Sequence, residues 1–573
     1  MISVLSTNIT SPLGFTTEQN YRAVLSGSSA LKRHEGLWGL PEPFAASLFS
    51  EELRAALAID GHTFFESIAI RSIREALTHT RLDVASERVV LIVSTTKGNV
   101  EWLDTPHYYP SEAAQAIAQA IGLTTKPIVV CNACVSGLSA QLLADRLLSE
   151  GIYDYAIVVG AEVQSKFIVS GFQSLKAVSE EPCRPFDIER NGLNPGEAAA
   201  TIVFAKTSDR ESWQLLDGTT CNDAYHNVSP SPQGDGLTRA IDAVMTGRDK
   251  SRLATVCVHG TATLYNDQME SRAIERAHLS DVPLSALKGY YGHTMGAAGV
   301  LETILTMRAT DDGIVLPTKG FTEPGISGKV SISSKPKKTD KHTFLKVMSG
   351  FGGCNVAALY EKGAGSKEQG ARKGAGSKEQ GARKGAGSKE QGARGIVKLE
   401  KTHTVRLSSK DEKTLTDIYK QEIGDYPKFY KMDFLSRLAF VAAETLSNSP
   451  LKGEDSLPLR ESWGGSLILF NHSSSIIADR QFLSTISDKD NCFPSPSLFV
   501  YTLPNITAGE IAIRHHLTGE TTFYILPDKD ETLMQQILQA TLRATGTTSA
   551  ICGWVDAESE TNYECELSMY NHT

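Results

Sequence analysis

Residues 362–394 spell the 11-residue unit Lys-Gly-Ala-Gly-Ser-Lys-Glu-Gln-Gly-Ala-Arg three times without a change. With three glycines per unit and no aromatic or branched aliphatic residue, such a stretch has nothing to bury and cannot join a core. It is also too short and too polar per unit to stack as a solenoid. Residues 362–395 are therefore expected to be a flexible linker that divides the chain into units of residues 1–361 and 396–573. Three identical copies mark a recent tandem duplication or an inserted spacer, and the sequence admits both. The tract carries a net +6 within an overall charge of −9, which leaves the remainder near −15. That balance argues against bulk attraction to nucleic acid.

Either unit has material enough for a core: the chain has 573 residues, 41% of them apolar and 21% charged. Nine cysteines without framework spacing fit a reducing cytosol better than a disulfide scaffold. The start, Met1 to Asn8, has no charged region followed by an apolar run, so no secretory signal is expected. No apolar run approaches the roughly 18 residues that a bilayer span requires. A cytoplasmic protein with no membrane span is the expectation.

The first unit alternates short β-branched runs with helical patterns, the signature of an α/β fold. Strands are predicted at Val89–Ser94, Pro127–Val130, Tyr155–Val159 and Ala254–Val258; helices at Ser139–Ser149, Asp267–Ala277 and Thr294–Arg308. Chemistry-bearing residues cluster where strands end, the place where open α/β sheets gather their sites. Cys134 stands at the junction between the strand ending at Val130 and the helical stretch from Leu138 to Glu150. A thiol there lies at the positive end of a helix dipole, which favours thiolate. Two histidines follow in glycine-rich settings, His259-Gly260-Thr261 and Gly292-His293-Thr294. One thiol and two imidazoles suggest acyl chemistry through a thioester. A lone cysteine is as often a small core residue. The pair Cys131 and Cys134 could also be a redox dithiol or half of a zinc site, but no second such pair follows.

Taken together, residues 1–361 closely resemble a β-ketoacyl-acyl carrier protein synthase, a decarboxylative condensing enzyme of the thiolase superfamily. Ile9-Thr10-Ser11-Pro12-Leu13-Gly14 resembles the opening strand and turn, and Ala133-Cys134-Val135-Ser136-Gly137 the nucleophile turn. Arg184-Pro185-Phe186-Asp187 with Gly196-Glu197-Ala198-Ala199 matches a further block, with Ala198 standing where the family has glycine. The two histidine blocks are His259 to Thr263 with Asp267 and Glu270, and Lys288 to Gly299. Gly350-Phe351-Gly352-Gly353-Cys354-Asn355 resembles the closing turn.

The resemblance implies a layered αβαβα thiolase-like fold and an acyltransferase that joins an acyl group to malonyl carrier protein. Cys134 would hold the acyl group, and His259 and His293 would stabilise the enolate left by decarboxylation. Backbone N–H groups of Cys134 and Phe351 would form an oxyanion hole, with Phe351 gating the acyl channel. Lys288 would orient the second histidine and supply positive potential, while Asp267 and Glu270 would support the first. Substrates would arrive on the phosphopantetheine arm of an acyl carrier protein, with no metal and no bound cofactor. The expected assembly is a homodimer or a pairing with a chain-length-factor-like partner. Two other readings stay open: a thiolase-type enzyme using Cys354 as base on CoA thioesters, and a non-catalytic scaffold or chain-length factor that binds carrier proteins. The presence of Cys134, His259 and His293 together argues against the scaffold.

The second unit is similar to the amino-terminal half of such an enzyme, through Asp433–Ala439, Ser466–Asn471 and Tyr501–Asn505 with Gly509-Glu510. Short proteins of this kind occur in aryl polyene and flexirubin pigment pathways. An ungapped overlay places Ala156-Ile157 on Ala550-Ile551 and Cys134 on Asp528. A carboxylate cannot carry a thioester, so a smaller, non-catalytic α/β domain is expected at residues 396–573. It would fold back on the first unit, or onto a partner, as an accessory surface.

Overall fold

The computed structural model describes residues 2–206, 211–363, 399–448, 465–488 and 493–572. Val89–Ser94, Ile128–Val130 and Tyr155–Glu162 pair in parallel and are buried on both faces, as their unbroken β-branched runs require. Ala198–Ala205 and Ile2–Thr10 extend this sheet antiparallel. At Ile2 and Ser3 it joins a second group of strands: Trp213–Asn222, Cys354–Lys362, Thr343–Gly350, Leu253–Cys257, Pro283–Ser285 and Ser331–Ile332. The last strand of the first unit thus takes in Lys362, the first residue of the repeat tract. Residues 364–398, which hold the rest of the predicted linker, lie outside the described residues.

Two helices lie between the strand groups, Ser136–Ser149 and Ala298–Asp311, and both are buried nearly all round. Glycine lets them meet. A Cβ on Gly299 would stand 2.5 Å from the backbone nitrogen of Leu138, and one on Gly137 would stand 2.8 Å from the carbonyl oxygen of Gly296. Outer helices complete the layers, Phe64–Leu77 on the first group and Asp235–Met245 with Leu264–Arg276 on the second. A capping box at Thr63 and Glu66 sets the start of the first of these.

The second unit repeats the first strand group element for element. Thr521–Ile525, Ser466–Asn471, Ser549–Ser559, Asn562–His572 and Leu399–Ser408 have the order and the parallel and antiparallel senses of Ile128–Val130, Val89–Ser94, Tyr155–Glu162, Ala198–Ala205 and Ile2–Thr10. Phe434–Asn448 covers its outer face, and Glu531–Thr545 packs against Ser136–Ser149. The ungapped overlay places Tyr155 on Ser549, and each opens its strand. Asp528 lies in the loop before Glu531–Thr545, exposed and paired with Lys126 at 2.9 Å. The last two antiparallel strands form a tight hairpin. In the first unit the equivalent strands are separated by the helix Lys166–Ser174 and the Arg184–Asp187 turn.

Among the described residues the two units share one sheet of sixteen strands. Val129 and Val130 pair antiparallel with Ile525 and Tyr524, and the Cys131 N–H donates to the Phe523 carbonyl at 3.1 Å. The sheet edge at Val129 and Val130 is therefore taken by the chain's own second unit. Arg146 clamps the junction with a bidentate pair to Glu520, at 2.6 and 2.7 Å, buried on both sides. Glu520→Ala strands that guanidinium in the interior, and a loss of about 3–5 kcal/mol of stability is expected. Arg480→Ala, which breaks an exposed pair with Asp104, is expected to cost about 1 kcal/mol or less. Denaturant unfolding of the two variants measures the contrast.

Candidate active site

Cys134 sits in a tight turn, Ala133–Val135, wedged between the strand Ile128–Val130 and the helix Ser136–Ser149. Ala133 enters the left-handed region at φ 47°, and so do Ala262, Phe186 and Met295 around the same site. Non-glycine residues held there carry strain that the surrounding packing must support. Sγ of Cys134 and one ring nitrogen each from His259 and His293 lie within 4.8 Å of one another. The imidazole rings meet edge to face, with centroids 5.0 Å apart. Such spacing also falls within the reach of a metal ion, so chelator belongs in any assay of this site.

His293 follows Gly292, whose φ of 67° turns the chain after the short helix Lys288–Tyr291. Its own N–H donates to the Asn194 carbonyl at 2.6 Å, and its Nδ1 accepts from the Met295 N–H at 3.1 Å. With Nδ1 accepting, the neutral ring carries its proton on Nε2, which is buried and has no protein partner. That N–H is free for a substrate oxygen. His259 lies two residues past the strand Leu253–Cys257, on a loop held by carboxylates. Glu270 accepts from the N–H groups of His259 and Gly260 at 2.6 and 2.8 Å, and Asp267 from those of Thr261, Ala262 and Phe186. Both acids are fully buried, on the inner face of the helix Leu264–Arg276, and they shape the loop. Burial pushes Glu270 up to about 7, against the pull of those backbone donors.

Lys288 contacts the first histidine, where the second was expected. Its Nζ donates to the His259 carbonyl at 2.7 Å and to Glu302 at 2.7 Å, while the other oxygen of Glu302 pairs with Lys346 at 2.6 Å. All three side chains are buried. Burial alone would raise Glu302, but the two lysines outweigh it and hold its carboxyl below the usual range. Sequence reading missed Glu302 and Lys346, although a signal existed. Glu302 is a lone acid in the apolar helical run from Ala298 to Met307, and a buried charge demands a partner.

Burial dominates the electrostatics of the three central groups. It drives both imidazoles well below their ordinary 6.5, with Lys288 adding to the effect, so they are neutral at physiological pH. It also pushes the Cys134 thiol up to about 12, more than Lys288 and the N–H groups of Cys134 and Phe351 pull it down. The expected resting thiolate is thus overturned. Desolvation exceeds what a helix terminus supplies, and the thiol must lose its proton during attack.

A cavity of about 340 Å³ opens above this trio. Phe351 stands between it and a second space of about 20 Å³ behind Cys134. Apolar side chains, including Ile168, Phe172, Met295, Phe499 and Leu503, line this inner space. Phe499 and Leu503 come from the second unit, which sequence reading did not place at the site. So does Asn505, whose Nδ2 donates to the Phe351 carbonyl at 2.8 Å. Cys354 turns toward Thr521, with Sγ 3.3 Å from its hydroxyl oxygen, away from the trio.

Comparison with known proteins agrees with this geometry. Residues 41–210 match the beta-ketoacyl synthase N-terminal domain model and residues 216–322 the C-terminal domain model. Residues 41–322 belong to the β-ketoacyl synthase family, condensing enzymes of the acyltransferase class with a thiolase-like fold. The chain is 28% identical to the 3-oxoacyl-[acyl-carrier-protein] synthase 2 of Vibrio cholerae serotype O1, over 63% of this chain and 99% of that one. It is also 28% identical to the tetracenomycin polyketide synthase ketoacyl synthase alpha subunit of Streptomyces glaucescens, over 51% and 79%. The solved PfaC keto synthase-chain length factor shares the fold across 100% of this chain and 78% of its own, with a TM-score of 0.75 and 14% identity.

Because the folded-state values of both imidazoles lie below 6.5, protonation sets in only under more acid conditions. Malonyl decarboxylation should therefore hold its neutral-pH rate down through pH 6.5 and fall only below it. Carbon dioxide release against pH checks this.

Proposed function

We propose that this chain carries out decarboxylative condensation in the elongation of a fatty-acid or polyketide-type chain, with its second unit acting as a chain-length-factor-like partner within one polypeptide. The observation that carries the reading is the convergence of Cys134, His259 and His293 beneath a cavity of about 340 Å³. In the first step Sγ attacks a carrier-borne acyl thioester. Its proton passes to a neighbouring imidazole and on to the departing carrier thiol, and the carbonyl oxygen rests against the N–H groups of Cys134 and Phe351. In the second step malonyl thioester loses carbon dioxide, and the freed electron pair delocalises into an enolate. The Nε2–H of His293 donates to that enolate oxygen, with His259 as the second donor. The enolate carbon then attacks the acyl-cysteine, a carbon–carbon bond forms and Sγ leaves. No metal or bound cofactor enters this scheme.

The acyl carrier protein is the proposed donor of both substrates, and the cytoplasm the proposed place of reaction. Among the described residues no helix is long and apolar enough to cross a membrane. A thiolase-type reaction is disfavoured because Cys354, the base that such a reading requires, faces Thr521. The accessory role of the second unit draws support from Phe499 and Leu503, which wall the space behind Cys134.

Three measurements test the reading. In intact-protein mass spectrometry with acyl carrier thioesters and chelator present, wild type should gain an acyl mass that Cys134→Ala lacks. An adduct that persists in the variant would move the nucleophile elsewhere. His293→Ala should lower decarboxylation by about 10²–10³ while acylation continues. Phe499→Ala, which removes the ring at the back of the acyl space, should lengthen the products read by mass spectrometry.

A further inference from the structure

Thr96 and Lys97, on the loop after the strand Val89–Ser94, line the space behind Cys134, and the ammonium of Lys97 lies beyond its wall. That ammonium reaches across the junction to Asp479, on the helix Ile476–Ser484 of the second unit, at 2.8 Å. The two side chains are 4% and 2% exposed. Lys97 donates as well to the Thr502 carbonyl, and its Nζ stands 5.5 Å from the centre of the Phe167 ring. The second oxygen of Asp479 accepts from the Tyr108 hydroxyl at 2.5 Å. Ser475 donates to the Thr502 carbonyl at 2.6 Å and completes the network. The loop bearing Lys97 is itself fixed, since Thr95 Oγ1 and the Thr96 N–H both donate to buried Glu162, at 3.0 and 2.9 Å.

We propose that the Lys97–Asp479 ion pair is the floor against which the growing acyl chain is measured, a specificity determinant built half from each unit. The proposal rests on the acyl-site reading given above. A hydrocarbon tail entering behind Cys134 meets aromatic side chains such as Phe172 and Phe499 first, whose bulk resists it only in part, because rings turn within an apolar space. Passing the pair is different. The tail would have to lie against two formal charges or separate them in a low-dielectric interior, and neither ion can reach water. Charge therefore stops the chain where side-chain bulk would yield. Since Asp479 belongs to the second unit, the floor exists only when the two units are joined. That accounts for a second unit retaining this helix without chemistry of its own.

Product lengths formed by the full-length chain from malonyl carrier protein, read by mass spectrometry, test the proposal. Lys97→Met/Asp479→Leu removes both charges at similar volume. It is expected to raise the share of products one malonyl-derived unit longer by about tenfold, the factor that a penalty of about 1.4 kcal/mol imposes. Lys97→Arg keeps the pair and should keep the wild-type cut-off. Unchanged lengths in the double variant, with a melting curve like that of wild type, overturn the proposal, as does equal lengthening by Lys97→Arg. Should the double variant fail to fold, Lys97→Gln/Asp479→Asn is read in the same way, because it removes both charges while leaving a donor for the Thr502 carbonyl and an oxygen for Tyr108; no lengthening overturns the proposal there too. If Phe499→Ala lengthens products and the neutral pair does not, the acyl-site reading survives and the floor fails. If neither lengthens them, both fail.

Discussion

Val129 and Val130 reach across to Ile525 and Tyr524, and this short antiparallel contact carries much of the molecule with it. An unpaired strand edge is a template for any other strand, and here the chain fills its own. Filling it brings Glu520 onto Arg146, Thr521 onto Cys354 and Asn132, and the helices Ile476–Ser484 and Asn505–His515 onto the loops flanking Cys134. The turn that presents the nucleophile begins three residues past the paired strand. Its placement is therefore tied to the junction as closely as to its own helix.

The junction is polar where interiors are usually apolar. Arg146–Glu520 and Lys97–Asp479 are both buried, and Glu510 is buried between Asn227, Tyr501 and Lys428. Buried ion pairs contribute little net stability once desolvation is counted, but they penalise every misaligned arrangement. At an interface of two similar units they select one register. A purely apolar surface would tolerate sliding, and sliding by one residue would turn each strand's side chains to the opposite face.

Burial also sets the character of the chemistry. The same desolvation that keeps His259 and His293 neutral keeps the Cys134 thiol protonated. A neutral imidazole N–H is the donor an enolate oxygen needs, and a protonated thiol is protected from stray oxidation until a substrate arrives. The cation pair Lys288 and Lys346 would repel any proton approaching the rings, and Glu302 holds both lysines in place. Strained backbone at Ala133, Phe186, Ala262 and Met295 shows how tightly the surrounding helices constrain these loops.

Much of this was legible in the residues themselves. Unbroken β-branched runs at Val89–Ser94 and Tyr155–Val159 could only be doubly buried strands. Glycine beside His259 and His293, and a cysteine between strand and helix, marked the site before any contact was known. These are local signals, carried by neighbours in the chain. The partner of Lys288, the protonation of Cys134, the wall formed by Phe499 and the pairing of Lys97 with Asp479 are of another kind. Each depends on groups tens to hundreds of residues apart, and on how far water is excluded once they meet. Local pattern therefore determined which atoms could react. Packing across the junction alone decided how far those atoms are desolvated and what space lies behind them, because desolvation belongs to the assembled interior and to no single stretch of chain.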